Sequence, residues 1–300
     1  MRHIKSAIPQ YQGLPLSHKL VLARSRIEQF YIFTGGNMFV SLSGKDSTAT
    51  LHIVREMFPD TPAVYVDTGL EYPEIVEHVK SVENVIILKP KMRFHQVVEK
   101  YGYPVVSKEQ AQYIRQARTT RSSKLFSKRL GRGSGCISLK WRYLLDAPFK
   151  ISEQCCSVMK HKPMAEFIKQ TGLFPITGIM AENSRLRMQS VLRHGCNGFD
   201  MSIPQSRPIA MWKDEDVWQY IRENNVPYSR IYDMGYTRTG CMYCVFGLHL
   251  EPSPNRFDLM KTTHTKRYEF CMDKLGLREV MRWYPKRDPQ DHFDFKEEGE

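Results

Sequence analysis

The sequence predicts an α/β fold, a doubly wound and mostly parallel sheet followed by a small, irregular C-terminal segment. Three observations predict it. Short runs of apolar, β-branched residues alternate with segments of helical apolar period about three turns long. The runs leading into "SLSGKDS", "DTGLEYPE" and "GIMAENSRLR" each pass into a polar loop. From about Pro204 the segments become short and lose their alternation. In open sheets of this kind ligands collect beyond the carboxyl ends of the strands, so the three loops are expected to line one crevice.

The elements follow in order. Residues 14–33 carry apolar positions at helical spacing, with Ser17 as the expected N-cap. Thr34, Gly35, Gly36 and Asn37 end that helix. "MFVSLSG" reads as the first strand, and 47–58 as the helix behind it, stopped by "PDTP". Residues 63–69 read as the second strand, "PEIVEHVKSV" as the second helix, 84–90 as the third strand and "FHQVVEKYG" as the third helix. Residues 174–182 form a fourth strand running into a loop, and "EDVWQYIRENN" is the clearest helix after it. The closing "DPQDHFDFKEEGE" is acidic and expected to fray.

A chain of 300 residues suffices for one large domain, or for one domain with an appendage. No stretch approaches the roughly 20 apolar residues of a membrane span. The start lacks the apolar centre of a secretory signal, so the expectation is a soluble, cytoplasmic protein without a membrane partner. In that compartment disulfides are uncommon, and seven cysteines need another explanation. A formal net charge of +12 favours polyanionic partners, nucleotides or nucleic acid. Residues 115–132 contain no acid. They read as a solvated mobile loop, as a lid over phosphates, or as a nucleic-acid arm using Arg115, Arg118, Arg121, Lys124, Lys128, Arg129 and Arg132. Phe126 is the one aromatic there, so base stacking is not indicated.

A strand, then S-G-K-D-S at residues 43–47, then a helix is an arrangement suited to phosphate. Gly44 lets the backbone approach a ligand, and N–H groups at the helix start attract anions. Ser43 and Ser47 add hydroxyls, Lys45 adds charge, and Asp46 can cap the helix or hold Mg²⁺. The alternative is an ordinary strand-to-helix turn. The pattern is not the G-x-x-x-x-G-K-[ST] loop.

Cys155 and Cys156 are adjacent, and Cys241 and Cys244 form C-x-x-C. The second spacing lets one turn present two thiolates to one metal centre. Adjacent cysteines diverge, which suits two irons of one cluster better than one zinc. An iron–sulfur cluster, a zinc ion and free thiols are the three alternatives, the cluster preferred. Lys160 and His161 follow the pair and reach toward the cluster or an anion, or else are solvated helix residues. Cys136, Cys196 and Cys271 read as half-buried small hydrophobes, with Cys136 set apart by its basic, flexible surroundings.

These motifs together resemble a known family. "SGKDS" looks like the PP-loop of the ATP pyrophosphatases. "VDTGLEYPE", "KYGYPVVSK", "TGIMAENSRLR" and residues 207–244 are similar, in order and spacing, to segments of the phosphoadenosine phosphosulfate (PAPS) reductase family within that group. The likeness covers about residues 15–250. It implies an adenine nucleotide alpha hydrolase-like domain at 36–203, a helical lead-in at 1–35 and a C-terminal segment at 204–300 that completes a cluster site. It implies a [4Fe–4S] cluster on Cys155, Cys156, Cys241 and Cys244, with zinc as the alternative. It implies ATP or adenosine 5′-phosphosulfate (APS)/PAPS bound with Mg²⁺ by Ser43, Gly44, Lys45, Asp46 and Ser47. Asp67, Thr68 and Gly69 are then expected near the adenosine, and Ser184, Arg185 and Arg187 near distal phosphates.

Two departures stand out: the loop has one glycine where the family pattern has two, and Met180 and Asn183 replace a frequent Arg and Glu. The family's reductases attack sulfur with a cysteine in a short C-terminal tail, which this sequence does not show. Lys45 and Asp46, expected as catalytic, are residues that the ATP-cleaving branch keeps. The resemblance therefore implies ATP-dependent adenylation with pyrophosphate release, in sulfur metabolism or nucleic-acid modification. The alternatives are a sulfonucleotide reductase producing sulfite and a silent accessory subunit of a nucleic-acid complex. A protein partner or a homodimer is left open.

Overall fold

The computed structural model describes residues 8–284, and the acidic tail expected to fray lies outside them. In chain order the elements are α1 (Leu16–Thr34), β1 (Met38–Ser41), α2 (Lys45–Met57), β2 (Ala63–Val66), α3 (Pro73–Ser81), β3 (Val85–Leu88), α4 (Phe94–Tyr101), β4 (Val105–Val106), α5 (Lys108–Thr119) and α6 (Ser123–Leu130). Then come α7 (Lys162–Thr171), β5 (Phe174–Thr177), α8 (Arg185–His194), β6 (Asn197–Gly198), β7 (Gln205–Ser206), α9 (Asp214–Glu223), β8 (Val245–Phe246) and α10 (Arg256–Thr263). They divide into two compact units, each assembled from separate stretches of chain. Among the described residues, the first holds 8–67, Tyr72–Lys89 and Pro163–Asp233; the second holds Thr68–Glu71, Pro90–Lys162 and 234–284.

The first unit carries the sheet, in the order β3-β2-β1-β5-β7-β6. All neighbours are parallel except β6 and β7. Val40 of β1 sits opposite Ala63 on one side and Ile176 on the other. The chain winds outward from β1 through β2 to β3 and resumes at β5 on β1's opposite side. The carboxyl ends of β1 and β5 therefore flank the switch point where such sheets bind ligands. Phe39, Val64 and Phe167 form a core cluster beneath it, the two phenylalanine rings edge to face at 5.4 Å.

Local chemistry sets the boundaries. α1 begins after Pro15, not at a Ser17 cap; the Ser17 hydroxyl instead lies 3.5 Å from His18 Nδ1. Proline's fixed φ suits the residue that opens a helix. α1 ends at Gly35 in the left-handed region, where the Gly35 and Gly36 N–H groups return to the Ile32 and Tyr31 carbonyls. The strands stop earlier than the apolar runs suggest, because their last residues turn out into the polar loops.

The second unit is built around the parallel pair β4–β8, Val105 opposite Val245. Residues 115–132 are not a loop here: they form the end of α5 and all of α6. The expected C-terminal iron–sulfur segment is overturned. Among the described residues, no group of three or more His, Cys, Asp or Glu side chains is placed to hold a metal ion. Among the same residues, no helix is long and apolar enough to cross a membrane.

Candidate functional site: an anion loop at the switch point

Residues 43–47 turn from β1 into α2. Gly44 is the N-cap, with extended backbone and no side chain spent on capping. The turn is braced from inside. The Ser47 hydroxyl donates to the Gly44 carbonyl at 2.7 Å and accepts the Ser43 N–H at 2.7 Å. The Lys45 N–H donates to the Tyr232 hydroxyl at 2.9 Å. The N–H groups of Gly44 and Asp46 carry no hydrogen bond among the described residues. A helix start with two open donors is an anion site in the making.

Gly178, just past β5, lies directly against this turn. A β-carbon there would stand 2.6 Å from the Asp46 carbonyl carbon and the Ser47 nitrogen. The next link is electrostatic. Lys45 Nζ is buried and donates to Asp46 at 2.7 Å and to Asp214, the first residue of α9. Burial works against its charge, but Asp46 and Asp214 more than offset that and raise its pKa. The Asp214 N–H donates to Glu182 at 2.8 Å, which ties the 181–183 turn to the same node. Lys45 also lies 5.5 Å from the Trp218 ring centre, and Trp218 packs edge-on against Tyr228 and Tyr232.

The expected loop residues thus come together, joined by residues the sequence did not single out: Gly178, Glu182, Asp214 and Tyr232. The available signal was an acid at the first position of a helix after "IAMW", and a glycine ending β5. Asp67 follows β2, its N–H on the Leu88 carbonyl at 2.8 Å. Ser184 caps α8 by accepting the Arg187 N–H at 3.2 Å, and Arg185 and Arg187 are exposed in its first turn. Thr68 and Gly69 belong to the second unit.

His78 of α3 packs on α2, its Nε2 3.1 Å from the Thr48 hydroxyl, and burial lowers its pKa. The unfolded chain therefore takes up this proton first, near the usual pH of about 6.5. The stability linked to His78 is complete above that pH and is lost as pH falls toward the lower folded value. His78→Gln should flatten the loss of unfolding free energy between about pH 7.5 and about pH 5.5, by up to about 1.4 kcal/mol per pH unit. Urea unfolding across that range checks it. His161, shifted downward chiefly by burial, leaves part of the slope in place.

In the second unit Glu71 forms a polar node. Its carboxylate accepts from the Thr68 N–H at 3.1 Å and from the Thr68 hydroxyl at 2.8 Å, and it pairs with Lys160 Nζ at 3.1 Å. The Met242 N–H donates to the Leu70 carbonyl at 2.8 Å, which draws the C-M-Y-C turn to the same loop. Lys160 is therefore neither solvated nor spare. It is half-buried and forms an ion pair with Glu71, with Cys241 nearby.

All four cysteines of the two pairs are free thiols. Burial first, then Cys241, Cys156 and Cys244, push the Cys155 thiol up, and burial pushes Cys244 up to about 12. The expectations of a [4Fe–4S] cluster and of zinc on Cys155, Cys156, Cys241 and Cys244 are corrected accordingly, since no three ligands converge among the described residues. Asp46, the residue expected to hold Mg²⁺, pairs with Lys45 at 2.7 Å.

A model of the phosphoadenosine phosphosulfate reductase domain matches residues 37–133 and 134–246, more than two thirds of the chain. An uncharacterized protein of Methanocaldococcus jannaschii is 25% identical over 214 residues, covering 69% of this chain and 41% of that one. The adenosine 5′-phosphosulfate reductase of Lysinibacillus sphaericus is 24% identical over 207 residues, covering 67% and 70%. That of Oceanobacillus iheyensis is 34% identical over 92 residues, covering 31% and 37%. The chain thus spans about two fifths of the length of two of these relatives. Among solved structures, the phosphoadenylyl-sulfate reductase of Candida auris in a phosphate complex is similar with a TM-score of 0.41 and 17% identity, covering 80% of this chain and 95% of that one.

Proposed function

Because the chain belongs to the phosphoadenosine phosphosulfate reductase domain family, we propose that it is a sulfonucleotide reductase, binding APS or PAPS at residues 43–47 and releasing sulfite. The observation that carries this reading is the loop itself. Gly44 and Asp46 offer open N–H donors and Ser43 a hydroxyl, while Lys45 is already held by Asp46 and Asp214. Such a loop suits the dianionic phosphosulfate group that APS and PAPS share better than a triphosphate. A tetra-anionic ATP would meet two carboxylates and one committed cation, without a metal-binding group among the described residues. Several relatives that bear the name adenosine 5′-phosphosulfate reductase support the same reading.

In this reading Ser43, Gly44 and Asp46 grip the anionic group, Lys45 and Ser47 fix the loop's shape, and Asp67, Thr68 and Gly69 serve the adenosine. Ser184, Arg185 and Arg187 serve the phosphate farthest from it. The acceptor is an external dithiol. Its thiolate attacks the sulfate sulfur, the sulfur–oxygen bond to the nucleotide breaks, and the nucleoside phosphate leaves with that electron pair. The second thiol then attacks the S-sulfonate, forming a disulfide and expelling sulfite. Cys271 is not the nucleophile of this scheme. It is buried, donates to the Tyr268 carbonyl, and burial pushes its thiol up to about 12.

The test offers the full chain APS, PAPS or ATP with dithiothreitol or thioredoxin. Sulfite from one sulfonucleotide, and no AMP or pyrophosphate from ATP, is the expected result. ATP cleavage without sulfite would replace this reading with adenylation. Ser47→Ala removes one donor and one acceptor from the turn, about 1–2 kcal/mol, and should weaken sulfonucleotide binding roughly tenfold.

A further inference from the structure

The basic stretch divides into two sets of cations. Arg115, Arg118 and Arg129 are structural. Arg115 makes a two-pronged pair with Glu153, and Arg118 binds four backbone carbonyls. Arg129 bonds Gln116 and the Gly135 carbonyl and lies over the Tyr113 ring at 4.2 Å. Arg121, Lys124, Lys128 and Arg132 are different. All four are exposed and carry no hydrogen bond or ion pair among the described residues. Lys124 and Lys128, one helical turn apart, share a face of α6, a helix with no buried residue. Arg121 and Arg132 flank its two ends.

The loop that follows α6 lines a cavity of about 480 Å³. Its walls include Tyr113, Arg132, Ser134, Cys136 and Leu139, with Glu109 at one side accepting from the Tyr113 hydroxyl. The glycine loop 131–135 bends through positive φ at Gly133 and Gly135, and a β-carbon at Gly135 would meet Lys128 Cε at 3.1 Å. The Lys128 stem therefore lies along the loop that bounds the cavity. A void of this size is in the range of small-ligand sites and can take a nucleoside.

We propose that α6 and the glycine loop bind a single-stranded nucleic acid, with Arg121, Lys124, Lys128 and Arg132 on successive phosphates and one unpaired nucleoside in the cavity. Charge complementarity selects this occupant: four free cations, no acid from 115 to 132, and a chain of net charge +12. The rise of about 1.5 Å per residue places Lys124 and Lys128 about 6 Å apart along α6, close to the spacing of adjacent phosphates in an extended single strand. The cavity selects a single strand over a duplex, because a base can enter it only unpaired. The inference does not depend on which nucleotide fills the loop at residues 43–47.

The test is fluorescence anisotropy of the full chain with a labelled single strand of about 15 nucleotides, across a salt series. Lys124→Ala/Lys128→Ala should weaken binding at least tenfold and reduce the slope of log K against log salt by about 1.4, since each strand phosphate contributes about 0.7. Lys80→Ala/Lys169→Ala removes the same charge elsewhere and should leave both unchanged. Ser134→Trp, which fills the cavity, should weaken the single strand with the salt slope retained. Absence of binding by the parent chain, equal losses in the two double variants, or equal affinity for the duplex or for polyglutamate would each overturn the proposal.

Discussion

Gly178→Ala is expected to push the 43–47 turn away from β5 and to abolish high-affinity nucleotide binding. The added β-carbon would lie 2.6 Å from backbone atoms of Asp46 and Ser47. Backbone cannot swing aside as a side-chain tip can, so either β5 or the start of α2 must move. Overpacking of this kind costs about 1–3 kcal/mol. The displaced turn also loses the aim of its Gly44 and Asp46 donors, and a misplacement of about 1 Å at such a site is worth roughly a hundredfold. Urea unfolding and titration with APS or PAPS measure the two effects separately. Gly240→Ala is the control, since nothing lies within 4 Å of a β-carbon there. Parent-like behaviour of Gly178→Ala in both assays would remove the close approach from the account of this site.

Arg118→Ala is expected to be the most destabilising change in the basic stretch, and the reason is backbone chemistry. Its guanidinium donates to the carbonyls of Leu144 at 2.6 Å, Leu145 at 2.9 Å, Ala147 at 2.7 Å and Phe149 at 2.6 Å. One side chain thus closes the end of the 3-10 helix Leu139–Asp146 and the turn behind it. Removing it strands carbonyls that have few other donors, at a cost of about 3–5 kcal/mol, with melting lowered on the order of 10 °C. Lysine cannot restore a planar fork with five donors. Arg121→Ala, three residues on and unengaged, should stay within about 0.5 kcal/mol of the parent. Equal melting of the two variants would show that Arg118 is no brace.

That contrast also marks what the sequence could and could not say. A run of seven Arg and Lys without an acid looks uniform, yet three of the cations are fixed by partners far along the chain. No local pattern tells Arg118 from Arg121, because the carbonyls it serves arrive from a helix more than twenty residues later. The strands and helices around residues 38–101 were legible, since period and turn residues are local signals. So was the loop at 43–47, where chemistry is packed into five consecutive positions.

The partners of Lys45 were not legible. Asp214 comes from a helix some 170 positions downstream, and Tyr232 from beyond it. The cysteines mark the opposite failure. Their spacing is a strong local pattern, but whether four thiols converge on a metal depends on the side chains between them. Here Lys160, which the sequence left open as a solvated residue, is engaged by Glu71 beside them.

The way the two units share the chain limits how such a protein can be taken apart. The backbone passes from one unit to the other five times, at 67/68, 71/72, 89/90, 162/163 and 233/234. No single stop codon or protease cut releases either unit whole. A stop at 233/234 keeps every segment of the first unit but leaves part of the second attached to it, and a stop at any earlier crossing leaves neither unit complete. Gene fusion of two finished modules cannot produce this arrangement. Lengthening of the turns that follow β2 and β3 can, and it makes the two units heritable only as a pair.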